Sequence, residues 1–150
     1  MMIDDQRYRD VVTYKMDPKC RVSIPVGWRP GPNEPLFLQS SKAYDLPMIK
    51  VLSNEAYYHR VKAIKESDYS PVVKNRKLGK LAMNCKEVLL NDQGKLLIPK
   101  DLSERNGLAA DTELTLAGRG LHFEVWSMEN FARFVELENA EDDDDELGIN

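Results

Sequence analysis

A ten-residue motif occurs twice in this chain, and the repetition constrains the fold more than any other feature. Residues 16–25 are Met-Asp-Pro-Lys-Cys-Arg-Val-Ser-Ile-Pro, and residues 90–99 are Leu-Asn-Asp-Gln-Gly-Lys-Leu-Leu-Ile-Pro. The offset, 90 − 16 = 74, also aligns residues 49–53 (Ile-Lys-Val-Leu-Ser) with residues 123–127 (Phe-Glu-Val-Trp-Ser). Two matched blocks in one register indicate an internal duplication. The chain is therefore expected to contain two copies of one small β-rich unit.

The motif itself predicts a tight turn between two strands. In the first copy, β-branched and aromatic residues at 11–16 favour a strand, and Asp17 and Pro18 supply turn chemistry before the chain extends again at residues 21–24. We expect a hairpin whose tip is flanked by Asp17 and Arg21. The second copy predicts the same arrangement around residues 91–94, although sequence separation alone does not say which strands pair.

The remainder of each copy predicts a short helix, two further strands and a closing helix. In the first copy, strands at 36–38 and 48–52 are expected on either side of a polar loop through Ser40, Ser41 and Lys42. Ser53 and Ser70 are suited to capping helix N-termini, and Pro71 is suited to a first helical turn. In the second copy the predicted elements are a helix at 100–105, strands at 112–116 and 122–126, and a helix at 127–137.

These elements predict one α+β, mostly β, architecture of two tandem repeats with short peripheral helices. The expected segments are an N-terminal extension (1–10), a first repeat (11–65), a connecting basic helix (66–84), a second repeat (85–137) and a disordered acidic tail (138–150).

Charge is unevenly distributed along the chain. The formal net charge is −4, but no lysine or arginine follows Arg133, whereas eight acidic residues do. Residues 1–135 therefore hold 21 basic residues against 25 − 8 = 17 acidic residues, a net charge of +4. A mildly basic body permits polyanion binding without requiring it. One hypothesis for the acidic run is an anionic mimic that competes with a polyanion for a basic surface.

Several functional classes lack sequence support. No apolar run is as long as a membrane span, and the charged N-terminus is unlike a signal peptide, so a soluble cytoplasmic protein is expected. Cys20 and Cys85 have no neighbouring metal-ligand pattern, and neither His59 nor His122 lies in a catalytic motif. We expect a protein that is not an enzyme and that uses no metal, cofactor or small-molecule substrate.

The repeated turn resembles a known family. A strand, a D-x-x-x-R turn, a second strand and Pro, followed by a short helix and another hairpin, resemble the AbrB-type swapped-hairpin DNA-binding fold. The tandem arrangement is similar to the MraZ family of bacterial transcriptional regulators. The most specific matches are residues 116–127 (Leu-Ala-Gly-Arg-Gly-Leu-His-Phe-Glu-Val-Trp-Ser) and residues 91–99. The resemblance covers roughly residues 11–136 and implies a double-ψ, swapped-hairpin barrel.

The resemblance also implies which residues contact DNA. In that family the Asp and Arg of each turn organise the DNA-contacting surface; here Asp17 and Arg21 match, but Asn91 and Lys95 do not. Lysine keeps the positive charge but loses the bidentate geometry of a guanidinium. Cys20 stands where the family usually has Gly, so a differently shaped tip is expected there. The candidate DNA-binding residues are Lys15, Asp17, Lys19, Arg21, Asn91, Lys95 and Lys100.

The resemblance implies a nucleoid-associated regulator that binds double-stranded promoter DNA, including that of its own division and cell-wall gene cluster. A ring-like homo-oligomer is implied as well, because several weak units on repeated DNA boxes gain affinity by multivalency. Two alternatives stay open. One is a structural or assembly protein on the same fold with weakened DNA binding, and the other is an AbrB-type antitoxin-like module that binds a protein partner.

Overall fold

The computed structural model describes residues 6–141, which form a mixed α+β fold dominated by antiparallel strands. A single 3-10 turn, Val26–Trp28, follows the second strand. In chain order the other elements are β1 (Val11–Lys15), β2 (Arg21–Ser23), β3 (Leu36–Ala43), β4 (Leu46–Ser53), α1 (Asn54–Lys65), α2 (Pro71–Asn84), β5 (Cys85–Val88), β6 (Lys95–Leu97), α3 (Lys100–Arg105), β7 (Glu113–Gly118), β8 (His122–Ser127) and α4 (Met128–Glu141). The predicted fold class, α+β and mostly β, is confirmed at this level.

Both sheets contain strands from both copies. Six strands form one antiparallel sheet in the order β1-β7-β8-β4-β3-β5, and β2 pairs with β6 in a separate two-stranded ribbon. The first strand of each copy therefore pairs with the third strand of the other copy: β1 with β7, and β5 with β3. Because each copy completes the sheet of the other, the predicted repeats at 11–65 and 85–137 are not separate structural units.

The hairpin predicted around Asp17 and Arg21 is wrong in its pairing. The turn forms, but β1 leaves it toward β7 while β2 leaves it toward β6. The reason lies at the centre of the ribbon, where Val22 pairs with Leu96 and both side chains are fully buried. Burial of these apolar groups favours pairing between copies over pairing within one copy.

The pairing register follows the duplication. Val22 pairs with Leu96 and Lys50 pairs with Glu124, and each pair is separated by the repeat offset, since 96 − 22 = 74 and 124 − 50 = 74. An approximate twofold axis therefore passes through both pairs. The third strands depart from this offset, because Leu36 and Leu114 occupy equivalent places and 114 − 36 = 78. Compared with the first copy, the second copy therefore has four more residues before its third strand, β7, and four fewer in the hairpin of β7 and β8.

The longer hairpin of the first copy overturns one predicted loop. Ser40, Ser41 and Lys42 lie within β3, opposite Ile49, Met48 and Pro47 of β4. The turn lies further along, at Tyr44 and Asp45, which both have positive φ as a two-residue hairpin turn requires. A polar run failed to predict a turn here because alternate residues of β3 face solvent.

Three apolar clusters hold these elements together. The largest lies between the six-stranded sheet and the ribbon and includes Trp28, Phe123 and the central Val22 and Leu96. Two smaller clusters lie on the helix side of the sheet. One, beneath α1, contains Phe37 and Leu52 and is extended by Leu81 of α2; the other, beneath α4, contains Trp126 and Phe134 and is extended by Ala43 and Leu46 of the longer hairpin.

Both chain ends differ from expectation within the described residues. The N-terminal extension is not loose from residue 6 onward, because Tyr8 is buried and its backbone exchanges two hydrogen bonds with Gly120, at 3.1 and 2.8 Å. The predicted tail at 138–150 begins too early, because α4 continues to Glu141. Residues 142–150 lie outside the described part of the chain.

Helix boundaries agree better with the sequence patterns. The Ser53 hydroxyl accepts a hydrogen bond from the Ala56 amide at 3.0 Å, and the Ser70 hydroxyl accepts one from the Val73 amide at 3.3 Å. Both serines are therefore the predicted N-caps, and α3 has its predicted bounds. Within residues 6–141, no helix combines the length and the apolar character that crossing a membrane would take.

Candidate nucleic-acid interface

The turn at residues 17–21, called the first tip here, is closed by its own aspartate. Oδ1 of Asp17 accepts hydrogen bonds from the backbone amides of Lys19 and Arg21, both at 2.9 Å. The Asp17 amide donates to the Arg21 carbonyl at 2.9 Å, and the Cys20 amide donates to the Asp17 carbonyl at 3.0 Å. The side chain thus does what an Asx turn requires, fixing the backbone that leads into β2.

The turn at residues 91–95, the second tip, has the same hydrogen bonds. Oδ1 of Asn91 accepts from the amides of Gln93 and Lys95, both at 2.9 Å. The Asn91 amide donates to the Lys95 carbonyl at 3.0 Å, and the Gly94 amide donates to the Asn91 carbonyl at 2.9 Å. Asparagine therefore replaces aspartate with no change of backbone geometry.

The difference between the tips lies in the second carboxylate oxygen. Nε of Arg21 donates to Oδ2 of Asp17 at 2.9 Å, and the Arg21 side chain remains 36% exposed. The backbone hydrogen bond from Arg21, with that from its side chain, holds the pKa of Asp17 below its ordinary value against the opposing effect of desolvation. Within residues 6–141, Lys95 forms no ion pair, so the second tip has a cation that Asn91 does not orient.

The tips also share a left-handed residue. Gly94 has φ of 74° and Cys20 has φ of 60°, so Cys20 adopts the conformation that glycine occupies in the other copy. The expectation that Cys20 would change the shape of the first tip is wrong. A non-glycine residue in this region is strained by about 1–2 kcal/mol. The conformation persists because the Cys20 carbonyl accepts a hydrogen bond from the Ile98 amide at 2.9 Å, as the Gly94 carbonyl does from the Ile24 amide at 3.1 Å.

The two tips lead into one surface. Because Val22 and Leu96 face the core, the residues on either side of them face away from it. Arg21 pairs with Leu97 and Ser23 pairs with Lys95, which places all four on the outer side of the ribbon, called the ribbon face here. Arg21 and Lys95 occupy diagonal positions on the ribbon face, and diagonal neighbours have Cα atoms about 7–8 Å apart. The structure therefore brings together the basic residues of the two repeated turn motifs.

The other predicted residues lie at different distances from the ribbon face. Lys19 is exposed within the first tip, and Lys15 is exposed at the end of β1, opposite Glu113. Lys100 opens α3 and is exposed, with Nζ 4.0 Å from the Glu104 carboxylate. It lines a surface cavity of about 480 Å³ together with Cys20, so it lies beside the first tip although it belongs to the second copy.

Sequence reasoning missed two residues of this region. Arg29 donates from Nε to the Ile24 carbonyl at 2.8 Å and lies directly against Gly94, where a Cβ would come within 2.3 Å of its guanidinium carbon. Leu97 is 53% exposed on the ribbon face beside Arg21. The alternation of buried Leu96 with its neighbours could have indicated Leu97, but Arg29 lies among prolines and glycines, where no periodicity identifies a position.

A buried carboxylate beneath α4 also escaped the sequence analysis. Glu124 is 5% exposed, with one oxygen 3.0 Å from Nε2 of His122 and the other accepting from Nε1 of Trp126 at 3.0 Å. Desolvation raises its pKa, but the hydrogen bonds from His122 and Trp126 outweigh this effect and the net pKa is lowered. His122 thus has an acidic neighbour. Both carboxylate oxygens of Glu124 therefore have a partner, His122 or Trp126, and these contacts order the helix side of the sheet.

Within residues 6–141, no group of three His, Cys, Asp or Glu side chains is placed to hold a metal ion. Cys20 and Cys85 are both free thiols. A comparison with models of known protein families and with curated protein sequences finds no match.

Proposed function

We propose that this chain is a sequence-specific DNA-binding transcriptional regulator, similar to the MraZ family, that uses the ribbon face to contact double-stranded promoter DNA. The observation that carries the proposal is the placement of Arg21 and Lys95 on one outward side of a ribbon whose other side is buried. The exchange of strands between the copies supports the finer expectation of a swapped-hairpin, AbrB-like arrangement.

The size of the ribbon suits a DNA groove. The major groove of B-DNA is about 12 Å wide and admits a two-stranded β-ribbon. A ribbon with buried Val22 and Leu96 on its inner side is anchored to the core, so its outer side chains are presented without the entropy cost of ordering a loop. Such preorganisation favours recognition of a fixed target shape.

The residues on the ribbon face suit different contacts. Arg21 uses only Nε for Asp17, which leaves the terminal amino groups of its guanidinium for two acceptors on a guanine edge. Lys95, Lys19 and Lys15 suit phosphates, which set position and carry no sequence information. Leu97 offers an apolar side chain of the kind that contacts a thymine methyl group.

The partner and setting follow from the same proposal. One ribbon presents few cations, so binding at cellular salt gains from several chains on repeated DNA boxes. We therefore include a ring-like homo-oligomer and nucleoid association in the proposed function, with the chain's own promoter as the first target.

The test is a fluorescence anisotropy titration on the DNA upstream of the chain's own gene, with shuffled DNA as competitor. Wild type is expected to prefer the upstream DNA, and Arg21→Ala to lose that preference. Arg133→Ala is the matched control, because Arg133 is an exposed arginine on α4 that pairs with Glu136 at 3.1 Å. Equal binding by wild type and Arg21→Ala would refute the site. Absence of binding even at low salt would favour the structural or assembly alternative.

A further inference from the structure

Helix α2 carries an unusual charge. None of its 14 residues is buried, and it contains Lys74, Arg76, Lys77 and Lys80 but no acidic residue. Within residues 6–141, none of these four cations forms an ion pair with a carboxylate. Lys74 instead donates to the Lys65 carbonyl at 2.8 Å. The helix is therefore a cationic surface whose charge the described residues leave uncompensated.

A groove runs between α1 and α2, called the α1–α2 groove here. It is an open cavity of about 430 Å³ whose lining includes the apolar side chains of Ile64, Tyr69 and Leu81. Lys77 and Lys80 line its rim, and Nζ of Lys77 lies 4.7 Å above the Tyr69 ring. Such a groove suits a short segment that carries both carboxylates and a few apolar side chains.

The chain itself contains a segment of that composition. Residues 142–150 follow α4 directly and are Asp-Asp-Asp-Asp-Glu-Leu-Gly-Ile-Asn, five acidic residues and then two apolar ones, Leu147 and Ile149. We propose that this carboxyl-terminal segment docks into the α1–α2 groove of its own chain, with its acidic residues against Lys77 and Lys80 and its apolar residues against Tyr69 and Leu81.

The point where α4 ends makes this docking possible within one chain. The carboxylate of Glu141 accepts a hydrogen bond from the Tyr44 hydroxyl at 2.7 Å, and Gln39, five residues before Tyr44, lines the groove. Five extended residues span about 17 Å. The six residue-to-residue steps from Glu141 to Leu147 reach up to about 20 Å when extended.

The path from Tyr44, beside the end of α4, to Gln39, at the α1–α2 groove, lies on one face of the sheet. Phe37 contacts α1 and Ala43 contacts α4, so Gln39, at the same parity on β3, faces the helices as well. Lys50 pairs with Gln39 across the strands, and Arg60 donates to the Gln39 side chain at 3.3 Å, so both cations lie beside this path. Burial, with the charges of Arg60 and Arg119, lowers the pKa of Lys50 against the opposing charge of Glu124. Cations along the path favour an acidic segment.

The experiment uses the full-length chain with Leu147→p-benzoylphenylalanine, a photo-crosslinker, in a mixture of isotopically heavy and light protein. Irradiation followed by peptide mapping is expected to yield cross-links to residues 63–81 within single chains. Cross-links that join heavy to light chains, cross-links to either tip, or no cross-links at all would each overturn the proposal. The second outcome would instead favour competition with DNA at the tips.

Two charge variants sharpen the result. Lys77→Glu with Lys80→Glu is expected to lower the cross-link yield about threefold or more, as the loss of one or two exposed ion pairs predicts. Lys15→Glu with Lys19→Glu makes the same charge change elsewhere and is expected to leave the yield unchanged. An equal loss in both variants would overturn the proposed site.

Lysine acetylation gives a readout that needs no crosslinker. Replacing Asp142, Asp143, Asp144 and Asp145 with asparagine is expected to raise the acetylation rate of Lys77 and Lys80 about twofold or more, because the competing carboxylates are gone. Lys15 and Lys19 serve as internal references. Unchanged rates at Lys77 and Lys80 would contradict the docking. None of these readouts involves DNA, so the proposal can fail while the proposed function stands.

Discussion

The first tip and the second tip have one backbone and two side-chain chemistries. Both are closed by an Asx side chain that accepts two amides at 2.9 Å, yet only Asp17 also holds its basic partner, Arg21, through a 2.9 Å ion pair. The comparison teaches that the turn needs only one oxygen of residue 17 or 91. The second oxygen is left for positioning a cation, which separates the residue's structural role from its proposed role in binding.

Substitution of the left-handed residue of the second tip should have the largest effect on stability. Gly94→Ala is expected to lower the free energy of unfolding by about 2–3 kcal/mol, the sum of left-handed strain and the loss of the hydrogen bond from Arg29 to Ile24. Urea denaturation measures it. Gly79→Ala is the matched control, because Gly79 lies in exposed α2 with nothing near its Cβ position, and it should raise stability by up to about 1 kcal/mol. A neutral Gly94→Ala would show that the second tip has another backbone.

Removing each basic residue tests the difference in proposed DNA contact. Arg21→Ala is expected to weaken binding to the preferred DNA about 10-fold to 50-fold and to abolish discrimination, because a guanidinium can grip a base edge. Lys95→Ala should weaken binding only about threefold on all sequences and reduce the salt dependence. Anisotropy titrations at several salt concentrations measure both. A larger loss of specificity from Lys95→Ala would reverse the assignment of roles.

Converting the second tip into the first tests whether the ion pair is transferable. Asn91→Asp with Lys95→Arg is expected to create the same Nε to Oδ2 contact and to tighten DNA binding about twofold to fivefold, while adding at most about 1 kcal/mol to stability. Lys95→Arg alone is the control, since it adds a guanidinium without an oriented partner. If the single variant binds as tightly as the double variant, orientation by the carboxylate is unimportant.

The strain at Cys20 predicts a smaller effect. Cys20→Gly removes left-handed strain but adds chain entropy to the unfolded state, so a net gain of about 0.5–1 kcal/mol is expected. Thermal unfolding under reducing conditions measures this gain. Cys85→Ala is a control for the loss of a thiol, because Cys85 lies in strand β5, outside both tips. A loss of stability in Cys20→Gly would mean that the packing of the Cys20 side chain against the largest apolar cluster outweighs the strain.

The smallest predicted effect is on the pH response of the tips. The pKa of Asp17 is lowered in the folded chain, so its contribution to stability is present above the ordinary pKa and is lost as pH falls through the lowered value. Asn91 does not titrate. Below about pH 4, the amide resonances of Lys19 and Arg21 should therefore shift, while that of Lys95, which donates to the side-chain oxygen of Asn91, stays constant. Equal shifts in both tips would indicate general acid unfolding, and Asp17→Asn should abolish the difference.

The sequence predicted local structure more accurately than strand pairing. Ser53, Ser70 and the bounds of α3 were predictable because caps and short-range turns depend on neighbouring residues. The repeat also placed Arg21 and Lys95 in equivalent positions. The pairing of β2 with β6 was not predictable, because a hairpin and an exchanged ribbon place the same residues in the same turns and differ only in long-range contacts.

Two residues, one in the core and one at the site, show why other features escaped prediction. Tyr8 belongs to a polar segment, and its burial depends on a contact with Gly120 more than a hundred residues away. Arg29 supports the second tip from the first copy, so its role depends on the same exchange of strands. Neither position carries a periodic pattern, and tertiary contacts alone give each its role.

The crossing of strands between the copies has a consequence for how such a molecule could arise and be taken apart. A polypeptide ending near residue 68 would have β1 and β3 without their partners β7 and β5, leaving hydrogen-bonding edges open. An ancestral half-length gene would thus have encoded an obligate pair of chains, and fusion would have made their assembly independent of concentration. Cut between residues 67 and 70 and expressed as two fragments, the protein should regain its fold only when both are mixed.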